Sequence, residues 1–309
     1  MKKLFLLFGV VGMIFTACNK GDFGNDGGAI LDPNNPLNNH KCASNEILYI
    51  SKSCTTMELG NSNGWGANLV SNTYDNGVGR LKFDAKVTTI PVEAFARDFG
   101  YNEMLMYIKM PNTITSIGRE AFCNCTSLTS VTIPSSVTSI VSDAFYHCTS
   151  LNAFYGKFAS SDNRCLIVDG VLSSFAPAGL TEYTIPDSVT SIGNDVFYRC
   201  TSLTSVTIPN SVTSIGNWAF DHCTSLTSVT IPDSVTSIGR SAFEYCTSLT
   251  SVYCKPTTPP TANVEDYDWY AFDDNAWGRK IYVPRSSVEA YKNAEYWSSY
   301  KSYIEGYDF

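Results

Sequence analysis

The apolar positions of this chain return on a fixed beat. Between Pro209 and Ile231 they are Val212, Ile215, Ala219, Phe220, Cys223, Leu226, Val229 and Ile231, and neighbouring stretches keep the same offsets. Pro186, Pro209 and Pro232 stand 23 residues apart, and so do Cys200, Cys223 and Cys246. A period of that size predicts a solenoid whose coils cannot bury their apolar sets alone and are stable only against neighbours and terminal caps. Within a coil, Leu226, Val229 and Ile231 point inward while Thr227, Ser228 and Thr230 point outward, the alternation of a strand. Stacked coils then form a parallel sheet with strands roughly 4.8 Å apart. Gly118, Gly193, Gly216 and Gly239 follow a short run in each coil and read as positions of unusual φ/ψ.

The expected fold is a β-rich repeat solenoid, a leucine-rich-repeat array of 23-residue coils over residues 87–284. Coils open at Val87, Pro111 and Pro134, and then the period breaks, because Cys148 and Cys200 are 52 residues apart. The excess holds Asp169-Gly170 between apolar runs, which predicts a β-hairpin of residues 166–168 against 171–173 inside an irregular coil, 157–185. Three regular coils follow, and a degenerate coil, 255–284, keeps Ala271-Phe272 in the usual slot. Residues 41–86 do not repeat; 46–50 and 79–85 read as strands of an irregular N-terminal β cap. Ser286 and Glu289 read as a capping box. Val288, Tyr291, Ala294, Trp297, Tyr300 and Ile304 then share one helical face, predicting a C-terminal capping helix over 285–309.

At the other end, Lys2 and Lys3 precede an apolar run too short to span a membrane, followed by Thr16, Ala17 and Cys18. Residues 1–17 resemble a bacterial lipoprotein signal peptide, which implies a lipid on Cys18 and an outer-membrane, surface-exposed location. Phe15 stands where such signals usually carry Leu, so cleavage by an ordinary signal peptidase is the alternative. Residues 18–40 are rich in Asn, Gly, Asp and Pro and read as a flexible tether.

With 29 acidic and 21 basic residues the chain carries a formal net charge of -8, which excludes nucleic-acid binding by phosphate neutralisation. Eleven cysteines in an exported chain would ordinarily suggest disulfides. Here Cys125, Cys148, Cys200, Cys223 and Cys246 hold one inward slot and read as a ladder of buried thiols. Cys42 with Cys54 is the candidate bridge.

The phrase "IP.SVTSIG..AF..CTSLTSV" is similar to the repeats of BspA-like, Treponema-type bacterial cell-surface proteins over residues 87–284, and residues 281–297 resemble the C-terminal end of such proteins. The resemblance implies export, a cell-surface place and binding of host or bacterial macromolecules. It names no ligand.

No His-Glu-x-x-His, Gly-x-Ser-x-Gly or phosphate-cradling Gly loop occurs, so no enzyme, cofactor or metal is expected. His147 and His222 share a slot about three coils apart, roughly 15 Å at strand spacing, too far to share an ion. Three surfaces remain. Thr129, Ser130, Thr132, Thr204, Ser205, Thr207, Thr227, Ser228, Thr230, Thr250 and Ser251 form an outward hydroxyl array that suits a glycan, or simply a solvated sheet. Beside the Ala-Phe pair the residues vary from coil to coil, giving Tyr146, His147, Tyr198, Arg199, Trp218, His222 and Tyr245 as candidate contacts, of types that interfaces favour. Within 264–277, Tyr267, Trp269, Tyr270 and Trp277 lie among Asp266 and Asp268, the composition of a sugar platform. A non-enzymatic binding module with a protein partner is the leading expectation; glycan binding and a self-associating structural spacer are the alternatives.

Overall fold

The computed structural model describes residues 33–96, 102–141, 143–263 and 271–309. Cys18, most of the tether, and the expected sugar-platform residues Asp266, Tyr267, Asp268, Trp269 and Tyr270 lie outside the described residues. The array is a β-solenoid of about nine coils. Each regular coil supplies one longer strand, one two- or three-residue strand and one turn. The longer strands include Ser228–Ile231, Ser251–Cys254 and Lys280–Pro284, parallel in the register Val229↔Val252↔Ile281. The short strands Ser191–Ile192, Ser214–Ile215 and Ser237–Gly239 stack with Ile192↔Ile215↔Ile238. Register follows from the period, since a slip of one residue would turn every Val and Ile to solvent.

The turn carries the Phe slot, and these rings form the spine of the core. Phe95, Phe122 and Phe145 stack at 5.1 and 4.9 Å; Phe197, Phe220, Phe243 and Phe272 stack at 4.6, 4.9 and 5.4 Å. Trp65 of the N-terminal cap closes one end, edge-on to Phe95 at 5.8 Å, and Trp297 closes the other at 5.9 Å from Phe272. Between Phe145 and Phe197 the spine is interrupted. There Cys165–Val168 and Val171–Phe175 form the hairpin, one residue longer on the first strand and two on the second than the sequence suggests. Its turn residues Asp169 and Gly170 have φ of 51° and 81°, which match a two-residue hairpin loop. Val171–Phe175 pairs in parallel with Ser191–Ile192, and Phe175 packs 4.6 Å from Phe197, so the hairpin stands in for a coil.

The Cys slot has a mechanism beyond size. Cys148, Cys223 and Cys246 donate their S–H groups to the carbonyls of Phe122, Phe197 and Phe220, one coil back, at 3.1, 3.1 and 3.2 Å. Burial raises the pKa of each of these thiols. Thr does similar work in the short strands: Thr138 and Thr213 each give both N–H and hydroxyl to the carbonyl of the Thr one coil back. Cys42 and Cys54 are both free; Cys42 donates to the Glu46 carbonyl at 3.2 Å and burial pushes its thiol up to about 12.

Besides the Cys42–Cys54 bridge, four expectations need correction. The repeat glycines do not have positive φ. A Cβ on Gly216 would instead sit 2.6 Å from the backbone of Gly193, and one on Gly239 2.4 Å from Asn217 N, so Gly is required by close coil-to-coil approach. The expected C-terminal helix is one short helix, Val288–Asn293, with no side-chain cap on Ser287. Ala294 is extended and Tyr296 has φ 66°, which ends it; a 3-10 turn, Trp297–Tyr300, and a strand, Ile304–Tyr307, follow. That strand adds in parallel to Lys280–Pro284, and Tyr291, Trp297, Tyr300 and Ile304 reach the core from different elements.

The tether expectation fails at its end. Pro36–Asn39 is a 3-10 turn whose Leu37 is fully buried in a cluster with Leu48 and Tyr107, while the Lys109 ammonium donates to the carbonyl of His40 at 2.8 Å. A single Leu among the Asn and Pro of residues 33–40 is invisible to composition but sufficient to dock this end. The hydroxyl array is also shorter than expected: Ser130 is buried, and the hydroxyls of Thr129, Thr204 and Thr250 bond carbonyls one coil back.

Candidate functional site

The turn face presents three columns of variable side chains. Before the Ala slot stand Glu120, Asp143, Asp195, Trp218 and Ser241; after the Phe slot, Cys123, Tyr146, Tyr198, Asp221 and Glu244; before the Cys slot, Asn124, His147, Arg199, His222 and Tyr245. Glu120, Asp195, Trp218 and Ser241 have φ between 51° and 57°, and Asn124, His147, Arg199, His222 and Tyr245 have φ between 52° and 59°. Left-handed backbone costs a non-glycine residue about 1–2 kcal/mol. The scaffold holds it by ladder bonds: Arg199 N–H to Asp221 O at 2.9 Å, His222 N–H to Glu244 O at 3.0 Å, Tyr245 N–H to Asp273 O at 3.1 Å. These carbonyl contacts use only backbone, so the side chains at these positions are left to vary.

The structure joins five of the seven expected contacts into one aromatic ridge. Tyr146 stacks on Tyr198 at 4.6 Å across the interruption, because the extra residues of the hairpin coil are accommodated away from the turn face. His147 lies 6.1 Å from Tyr198, Tyr198 5.8 Å from His222, and His222 4.5 Å from Tyr245. On the turn face His147 and His222 are therefore two coils apart, with the Tyr198 coil between them, and not the three expected. Among the described residues no group of three or more His, Cys, Asp or Glu could hold a metal. Arg199 leans over the Tyr198 ring at 5.4 Å and donates to its hydroxyl. His147 Nδ1 meets Asn124 Oδ1 at 2.8 Å, and burial lowers its pKa.

Trp218 does not join the ridge. It lines an open groove of ≈ 510 Å³ beside it, with Arg240 over its ring at 5.9 Å. Glu120, Asp143, Asp195 and Asp221 line the same groove, with Tyr146 and Tyr198 along its wall. Arg119 bonds Asp143 at 2.9 Å and Glu120 at 2.8 Å, while the second carboxylate oxygen of Asp143 is buried with no hydrogen-bond partner among the described residues. Burial, with Asp143 and Asp221 close by, pushes Asp195 up to about 7. Burial also raises Asp221, against the pull of His222, whose Nδ1 lies 2.8 Å away. Glu120 and Asp143 were missed in the sequence, though alignment by the Ala-Phe slot shows an acid before it in four successive coils, Glu93, Glu120, Asp143 and Asp195.

Since the folded pKa of Asp195 exceeds its unfolded value, it favours the native state below about pH 4, and this advantage is lost as pH rises to about 7. Asp195→Asn should therefore become progressively more stable than the wild type across that window, by about 1–2 kcal/mol at pH 7.5 after discounting for solvent exposure. Urea melts of both proteins at pH 4.5, 6 and 7.5 check this; a constant difference would contradict it.

Trp277 is fully exposed. The BspA type leucine rich repeat region matches residues 88–161 and 172–301 in six copies. Among solved structures, a leucine rich cell surface protein from Faecalibacterium prausnitzii is 24% identical over 66% of this chain and 60% of its own, with a TM-score of 0.46. A leucine-rich repeat protein from Eubacterium ventriosum is 22% identical over 57% and 58%, TM-score 0.40, and the pneumococcal vaccine antigen PcpA 16% identical over 72% and 70%, TM-score 0.42. The chain thus spans about three fifths of the length of the first two. No curated protein sequence matches it. With the repeat model covering well over half of its length, the chain belongs to the BspA-type leucine-rich-repeat family.

Proposed function

We propose that the chain is a non-enzymatic binding module, displayed at a bacterial cell surface through a lipid on Cys18, that recognises a protein partner with its turn face. The observation that carries this is the continuous ridge Tyr146, Tyr198, His222, Tyr245, built from side chains that the coil does not need for folding. Aromatic residues and Arg supply most interface energy where they are rigidly held. The acidic groove alongside favours a partner with a basic segment, which makes association faster at low salt. Among the described residues there is no constellation of nucleophile, base and oxyanion donor that would support catalysis.

Cells carrying the full chain, screened against secreted and surface proteins, should capture a partner. Tyr146→Ser/Tyr198→Ser/Tyr245→Ser should weaken capture at least tenfold, and Cys18→Ser should release the chain from the membrane. Capture of the same partner by the triple variant at wild-type affinity would refute the proposal.

A further inference from the structure

A second aromatic cluster lies on the longer-strand sheet, at its C-terminal end. The outward middle slot that holds Thr184, Thr207 and Thr230 is taken over in register by Tyr253 and then Tyr282. Their rings stack at 5.0 Å and 18°. Tyr307, from the last strand, lies 5.5 Å from Tyr253 and 5.4 Å from Tyr282, and Phe309 lies 5.1 Å from Tyr307. Tyr307 and Phe309 are 41% and 51% exposed. Tyr107, an aromatic of the first coil's strand, packs under Leu37, whereas no described segment covers the C-terminal set.

The chemistry of the patch selects among ligands. Two of the cations at its rim are paired, Lys280 with Glu305 and Arg285 with Asp308 at 2.8 Å. Lys255 sits over the Phe309 ring at 5.9 Å. Among the described residues, the hydroxyls of Tyr253, Tyr282 and Tyr307 make no hydrogen bond, so they are available to a ligand. An amphipathic ring with an apolar body and a polar tip suits a partner built the same way. A pyranose is such a partner, with an apolar C–H face and a rim of hydroxyls. The sheet continues into exposed Ser228 and Thr230, adding hydroxyls in line with the phenols.

We propose that Tyr253, Tyr282 and Tyr307 form a binding platform for a neutral glycan. Beyond the two ion pairs the rim holds one cation, Lys255, whose ammonium lies over the Phe309 ring; a single charge is too little to recruit an acidic polymer, and the balance of π-faces and hydroxyls matches uncharged sugar rings. This site is separate from the turn-face ridge.

The test titrates the full chain in detergent solution, by calorimetry, with cellohexaose, maltohexaose and chitohexaose, and with heparin-derived and polysialic oligosaccharides as charged comparators. Tyr253→Thr/Tyr282→Thr restores the residue of the preceding coils, and Tyr307→Ser removes the third ring singly; circular dichroism verifies that each folds. At least one neutral hexasaccharide should bind, at least tenfold more weakly in the double variant and measurably more weakly in Tyr307→Ser. Silence from every neutral probe, preference for the charged ones, or unchanged affinity in both variants would each overturn the proposal. So would self-association of the wild type that the double variant abolishes, since that would assign the patch to a second copy.

Discussion

Phe220→Ala should lower the unfolding free energy of the array by about 3–5 kcal/mol, the range for removing a fully buried aromatic ring. Phe220 lies between Phe197 and Phe243, with interplanar angles of 4° and 3°. Collapse around the vacated space is prevented by the backbone, because Phe197 N–H bonds Ala219 O and Phe220 N–H bonds Ala242 O, at 2.8 and 2.7 Å. Repeat arrays are stabilised by nearest-neighbour interfaces, so the loss falls on two interfaces at once. Denaturant melts followed by far-UV circular dichroism should show a lower midpoint and a broader or split transition. A loss below about 1 kcal/mol would mean that the ring stack is not the spine of the fold.

Gly216→Ala is the second large effect, though only one methyl is added. Its Cβ would lie 2.6 Å from Gly193 C and O and 2.7 Å from Asn194 N, all backbone atoms that cannot rotate away. Overpacking of this kind costs about 1–3 kcal/mol or more, and here it must push two coils apart. Gly179→Ala provides the comparison, for Gly179 has φ 76° and nothing within 4 Å of an added Cβ. That variant should lose only the left-handed cost, about 1 kcal/mol. Equal losses in the two melts would show that close approach is not what selects Gly in the repeat.

The contrast between these glycines shows where the sequence was legible. Val, Ile, Phe and Cys at a constant offset demand one inward direction, so coil, core and parallel register follow from spacing alone. Asp169-Gly170 was equally readable, because a two-residue hairpin needs positive φ at both positions. Gly216 was misread because a missing Cβ has two causes, and only the neighbouring coil tells them apart. The C-terminal helix was overextended because Val288, Tyr291, Trp297 and Ile304 satisfy helical spacing, while Tyr296 breaks the helix with a backbone angle that no side-chain pattern announces.

The candidate site was legible in its residues and not in its connections. Tyr146 and Tyr198 are 52 residues apart, and counting coils put the hairpin between them. In three dimensions the hairpin displaces strands while the turn face closes, bringing the rings to 4.6 Å. Tyr253 and Tyr282 were legible in principle, as Tyr in a slot that otherwise holds Thr, but they gain meaning only beside Tyr307, delivered by a strand that was expected to be helix.

The measurement that bears most directly on the binding role is affinity for a captured partner, compared between the wild type and Tyr146→Ser/Tyr198→Ser/Tyr245→Ser, with Tyr253→Thr/Tyr282→Thr as the variant on the longer-strand sheet. We expect at least a tenfold loss in the turn-face variant and wild-type affinity in the other. Wild-type affinity in the turn-face variant, with its fold intact, would contradict a recognition role for the ridge.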